Sequence, residues 1–147
     1  MTVRKAIEDL RVKDVMTKNV IAIHENTSIT ELKALFDKYD YNGFPVVRDG
    51  YLIGIVTKLD LLKTFSTGKS VSKTDLLKLF AEKVGEIMRK AVISINADDD
   101  LKKAIEYMVE FKLRSLPVVD NEGKLVGMIS RKDVMEHLLI AEDNNSS

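Results

Sequence analysis

Two short stretches carry the residue types from which a binding site is built. They are Gly54-Ile55-Val56-Thr57-Lys58-Leu59-Asp60 and Gly127-Met128-Ile129-Ser130-Arg131-Lys132-Asp133. Each runs from a glycine through two apolar residues to a hydroxyl residue, with an Asp three places later. One reading is structural: Thr57 or Ser130 caps a helix, and the Asp sits in its first turn beside the positive end of the helix dipole. The second reading adds a ligand. A helix N-terminus offers N–H groups to an anion, and Lys58, or Arg131 and Lys132, can join them. The Asp carboxylate can accept hydrogen bonds from two vicinal hydroxyls such as those of a ribose, each worth about 1.5–3 kcal/mol. Phe44-Pro45 and Leu116-Pro117 supply an apolar wall for a flat base. Hydroxyl, carboxylate, cation and apolar wall together describe a nucleoside or nucleotide cleft.

The elements that position these residues repeat. Placing Pro45 over Pro117, the only two prolines, shifts the chain by 72 residues. Met16 then falls on Met88, Lys18 on Lys90, Val20 on Val92, Ile21 on Ile93, Ile23 on Ile95, and Val46-Val47 on Val118-Val119. One extra residue near Glu122 moves the shift to 73, so that Gly50 meets Gly123, Gly54 meets Gly127 and Asp60 meets Asp133. The copies span about 12–65 and 84–139. Val20–Ile23 reads as a short β-branched strand. Ser28 with Glu31 reads as a capping box, and the following helix shows Ile29, Leu32, Leu35, Phe36 and Tyr39 on one face. In the second copy that face is Leu101, Ala104, Ile105, Met108 and Phe111. The run Asp98-Asp99-Asp100 before it reads as a capped helix start rather than a cation site. Phe44–Val47 and Tyr51–Val56 form a hairpin about Asp49-Gly50, as do Leu116–Val119 and Lys124–Ile129 about Asn121-Glu122-Gly123. A helix follows Thr57 and Ser130. Each copy is β-α-β-β-α, a mixed α/β arrangement of the α+β class. Residues 1–73 hold a lead-in helix, the first copy and a linker, Ser66–Lys73; residues 74–147 hold a lead-in helix from Thr74, the second copy and a polar tail.

Composition narrows the function. The 147 residues carry 23 Lys+Arg against 23 Asp+Glu, a balance that disfavours nucleic acid as a partner. Cys is absent, which removes disulfides, zinc-thiolate sites and cysteine nucleophiles and is in keeping with a reducing cytoplasm. No stretch reaches 18 uninterrupted apolar residues, so no membrane span is expected. His24 and His137 share no copy position. No P-loop, Gly-x-Gly-x-x-Gly or nucleophile elbow occurs, so neither catalysis nor a metal site is expected. The methionines read as core residues.

The tandem copies, each with a Val-Met or Ile-Met start, a Pro-Val-Val strand and the Gly-x-x-Thr/Ser-x-x-Asp junction, resemble a pair of CBS (cystathionine β-synthase) domains, called a Bateman module. The resemblance covers residues 12–139. It implies a pseudo-two-fold module with two clefts between the repeats. There, family members bind adenosine compounds such as AMP, ADP, ATP or S-adenosylmethionine. It also implies a homodimer, signalling to an effector protein, and no required cofactor. By position, Asp60 and Asp133 match the ribose-binding Asp, and Thr57 and Ser130 the hydroxyl at the phosphate end. Thr17 to Val20 and Arg89 to Val92 match the segment whose backbone reads the base. Phe44 and Leu116, with Pro45 and Pro117, match the apolar wall. Arg114 matches a phosphate-binding basic residue, and Asn42 holds that place in the first copy, so the clefts should differ in phosphate affinity. Glu25 and Ala97 stand where the family often has Pro, and Ala22 where Thr is common. The function implied is a regulatory sensor of an adenosyl ligand; the alternative is a dimerisation or protein-interaction module with no nucleotide.

Overall fold

The structure is a computed structural model, and it describes residues 7–66 and 82–146, with side chains to residue 138. Its helices are α1 (Val12–Val15), α2 (Ile29–Lys38), α3 (Lys58–Thr64), α4 (Val84–Ile87), α5 (Leu101–Glu110) and α6 (Arg131–Ser146). Its strands are β1 (Ile23–His24), β2 (Gly43–Arg48), β3 (Tyr51–Thr57), β4 (Ile95–Asn96), β5 (Ser115–Val119) and β6 (Leu125–Ser130). The linker beyond Ser66 and the helix expected from Thr74 lie outside the described residues. Of the N-terminal lead-in, residues 7–10 are described: Ile7 and Glu8 are helical, Asp9 is in a turn and Leu10 is outside the helix.

Each copy builds one three-stranded mixed sheet, β1-β2-β3 or β4-β5-β6, with the first strand parallel to the second and the second antiparallel to the third. The first hairpin turns through Asp49 (φ 52°) and Gly50 (φ 85°). Two successive positive φ values are the signature of a type I′ turn, whose twist matches that of the strands. The strand expected over Val20–Ile23 is shorter and later: only Ile23 and His24 reach β2, opposite Val46 and Val47. That places Pro45 just before the parallel pairing begins. Its β3 partner Ile55 directs its N–H and C=O away, to Arg89. Pro45 therefore removes no ladder bond, and Pro117 repeats the arrangement opposite Met128.

The helix faces follow the apolar spacing. Ile29, Leu32 and Phe36 of α2, and Leu101, Ala104 and Met108 of α5, are buried. Phe111, expected on the second face, lies past the helix end and is exposed. Ser28 caps α2 by accepting from the Glu31 N–H. Asp100 holds the N-cap position of α5 without a side-chain cap bond. The acidic run is spent on cations instead: Asp98 on Lys13, Asp99 on Lys103, and Asp100 on Arg11. The polar tail is helical: α6 continues to Ser146.

The chain divides into two compact units, one joining the residues up to Val20 to those from Ile93 onward, the other Ile21–Val92. Each unit thus pairs one copy with the lead-in of the other. Val12 is fully buried among Ile95, Leu101, Leu116 and Ile129, and Val84 among Ile23, Ile29, Phe44 and Val56. The docking bonds repeat one for one. Val12 and Lys13 N–H groups donate to Asp99 and Ala97, and Leu101 N–H donates to Leu10. Val84 and Gly85 N–H groups donate to Thr27 and Glu25, and Ile29 N–H donates to Glu82.

Candidate functional site

The Gly-x-x-Thr/Ser-x-x-Asp junctions join β3 to α3 and β6 to α6. The glycine is dictated by close approach. A Cβ on Gly54 would lie 2.9 Å from the Arg89 carbonyl oxygen and 2.6 Å from Met88 Sδ; one on Gly127 would lie 2.8 Å from both the Thr17 oxygen and Met16 Sδ. The lead-in segment crosses the last strand here. Ile55 and Arg89 exchange two backbone hydrogen bonds (3.0 and 2.8 Å), and Met128 and Thr17 exchange the equivalent pair (2.9 and 2.8 Å). Positions 89 and 17 are therefore one structural place, and each is brought to the junction of the other copy.

At the first junction Thr57 and Asp60 form a reciprocal capping box. The Asp60 N–H donates to Thr57 Oγ1 (3.2 Å), and Asp60 Oδ2 accepts from the Thr57 N–H and Oγ1, both at 2.9 Å. Asp60 Oδ1 accepts from Arg89 Nε at 3.1 Å. The carboxylate is only 6% exposed, whereas the arginine side chain is 51% exposed. At the second junction Ser130 and Asp133 repeat the box (2.9 and 3.1 Å), and Asp133 Oδ1 accepts from Thr17 Oγ1 at 3.1 Å. Asp133 is half-buried rather than buried. The same fold thus gives two carboxylates different neighbours: a cation in one unit, a neutral hydroxyl in the other.

The remaining candidate residues divide. Lys58 and Arg131 begin their helices, and their N–H groups donate to the Asn42 and Arg114 carbonyls (2.9 Å each). Asn42 and Arg114 are therefore equivalent places beside the two junctions. Arg131 Nε is held by the Leu113 carbonyl at 2.8 Å. The Arg114 side chain is exposed and has no ion-pair partner among the described residues. Val20 and Val92 are half-buried, three residues beyond Thr17 and Arg89. Phe44 and Leu116, expected to wall a cleft, are core side chains at 1% and 0% exposure, and Pro45 and Pro117 are buried with them. Sequence reasoning missed the exchange of lead-ins and the reason for the glycines. The signal available was the shared phase of Met16 and Met88, which seat on Gly127 and Gly54. Among the described residues no group of three or more His, Asp or Glu is placed to hold a metal ion, and no helix is long and apolar enough to cross a membrane.

The family model for the CBS domain matches twice, at residues 12–67 and 84–140. An uncharacterised protein of Methanocaldococcus jannaschii is 31% identical, over 90% of this chain and 93% of its own length. Other relatives are longer. The chain is 33% identical to an inosine-5′-monophosphate dehydrogenase of Thermoplasma acidophilum but spans only 23% of it. Among solved structures, CBSX2 in complex with AMP matches with a TM-score of 0.76 at 29% identity, covering 90% of this chain and 98% of that one. The CBS domain pair of a protein named MJ0100, in complex with 5′-methylthioadenosine and S-adenosylmethionine, matches with a TM-score of 0.70 at 27% identity, covering 91% and 98%. With both copies matched by the family model and the fold shared over nine-tenths of the chain, this protein belongs to the CBS-domain family as a tandem pair.

Proposed function

We propose that this chain is a regulatory module that binds an adenosine-containing ligand (AMP, ADP, ATP or S-adenosylmethionine) at its two junctions and performs no chemistry itself. The observation that carries the reading is the repeated constellation at the strand–helix junctions. Asp60 and Asp133 are each held in place by a capping box, so the carboxylate is oriented in advance for a ribose diol. Thr57 or Ser130 supplies the hydroxyl beside it. Thr17–Val20 and Arg89–Val92 present backbone N–H and C=O groups to the base, and Lys58, Arg114 and Arg131 supply cations for phosphate. The complexes of similar solved proteins with AMP and with S-adenosylmethionine support the same ligand class. Ligand occupancy shifts the population of conformations, and a homodimer carries that shift to an effector protein.

Thermal melts with AMP, ATP and S-adenosylmethionine test the reading. A ligand at 100 times its Kd adds about 2.7 kcal/mol of stability. Asp60→Ala and Asp133→Ala each remove part of the gain. No shift with any of these compounds at millimolar concentration sinks the proposal. If the Asp variants then lose stability without any ligand effect, the carboxylates are caps only and an interaction module without nucleotide is the better reading.

A further inference from the structure

Positions 17 and 89 are the same place in the two units, yet one holds a neutral hydroxyl and the other a guanidinium. Around Asp60 the Thr57 N–H and Oγ1 occupy Oδ2 and Arg89 Nε takes one side of Oδ1, which leaves too few acceptor directions for two arriving hydroxyls. The carboxylate is buried, so the arginine is its access to solvent as well as its counter-ion. A diol arriving at Asp60 must displace a charge-assisted bond. At Asp133 it displaces only the Thr17 hydroxyl at 3.1 Å, a bond with a neutral donor.

We infer that Arg89 is a latch on the Asp60 junction, and that the residue at this one place, Thr17 or Arg89, sets which junction takes a ligand first. The inference rests on the adenosyl-binding reading above. The arginine is half exposed, so water can solvate it once displaced, and the latch opens rather than plugging the site. The Asp133 junction is the stronger site and the Asp60 junction the weaker one. The rank exchanges when the two side chains are exchanged.

The test uses adenosine, which has no phosphate to meet the surrounding cations, titrated calorimetrically into the full chain. The wild type shows one stronger and one weaker site, and Asp133→Ala abolishes the stronger. Arg89→Thr tightens the weaker site about ten-fold, and Thr17→Arg weakens the stronger by a similar factor. Arg89→Gln, which keeps most of the side-chain length, behaves like Arg89→Thr if charge is the cause. Independently of any variant, the weaker wild-type site tightens between about 0.05 and 0.5 M salt, because salt screens a half-exposed ion pair. Wild-type isotherms in both Arg89 variants, with no salt effect on the weaker site, overturn the latch while the adenosyl reading stands. Failure of the wild type and every variant to bind adenosine or AMP at millimolar concentration overturns the adenosyl reading, and the latch falls with it.

Discussion

Asp60 and Asp133 do the same local work in unequal surroundings, and their removal should cost unequal amounts. Replacing Asp60 with Ala leaves the part-buried Thr57 N–H and hydroxyl without their acceptor, at a cost of about 1–3 kcal/mol. Asp133→Ala loses a cap that water can partly replace, about 1 kcal/mol. Urea denaturation of the ligand-free protein reads the difference, and equal midpoints for the two variants would contradict it. Gly54→Ala and Gly127→Ala press a methyl group onto a carbonyl oxygen that cannot move without breaking the paired bonds to Arg89 or Thr17. Each should cost about 1–3 kcal/mol. Wild-type urea midpoints would show that the lead-in yields freely. Glu25 offers a pH signature. Its hydrogen bonds to Arg48 hold its carboxyl below the ordinary value of 4.5. A depressed carboxyl stabilises above its unfolded value, and the contribution disappears as pH falls through the lower folded value. Arg48→Ala should therefore lower stability near neutral pH and leave it unchanged at the acid end of the curve. A constant difference across that range would exclude the pair as its source. The pair lies at the surface, so high salt should shrink the effect.

At the scale of elements, the lead-in turns are parts of the cores rather than connections. Val12 and Val84 are fully buried, each with the other copy's sheet and helix. Truncating either to Ala removes two methyl groups and leaves a small void, about 1.5–3 kcal/mol. The damage should be local. Hydrogen exchange in Val12→Ala should speed in Leu101–Glu110 and Ser115–Ser130 more than in Ile29–Thr57, and Val84→Ala should show the reverse. A lead-in docked on its own copy would give the opposite maps. The brevity of β1 and β4 has a related cause. The chain leaves the crossing at Thr17 or Arg89 and reaches β2 or β5, respectively, only over two residues.

For the whole molecule, the exchange makes each compact unit depend on both halves of the chain. Cleavage between Ser66 and Glu82 separates each copy from the Val that completes its core. Each fragment alone should melt well below the intact chain, and mixing the two should restore a cooperative transition near the intact value. A fragment that melts alone as high as the whole would show that its own lead-in fills the gap equally well. The zero net charge is likewise a sum of unlike halves, +3 over residues 1–73 and −3 over 74–147, which favours re-pairing of the fragments at low salt.

Local order was legible in the sequence because it obeys local rules. The duplication, the apolar faces of α2 and α5, the Asp49-Gly50 turn and the Thr57–Asp60 and Ser130–Asp133 pairs follow from periodicity, turn chemistry and capping, all of which act over a few residues. Which lead-in fills which core was not legible. Met16-Thr17 and Met88-Arg89 carry the same apolar pattern, and either satisfies either glycine. Only distance in three dimensions chooses between them. That choice places Arg89 on Asp60 and Thr17 on Asp133. Sequence alone determined that there are two junctions of one kind; the tertiary structure decided that they are not equals, because a buried carboxylate takes its character from whichever donor the fold brings to it.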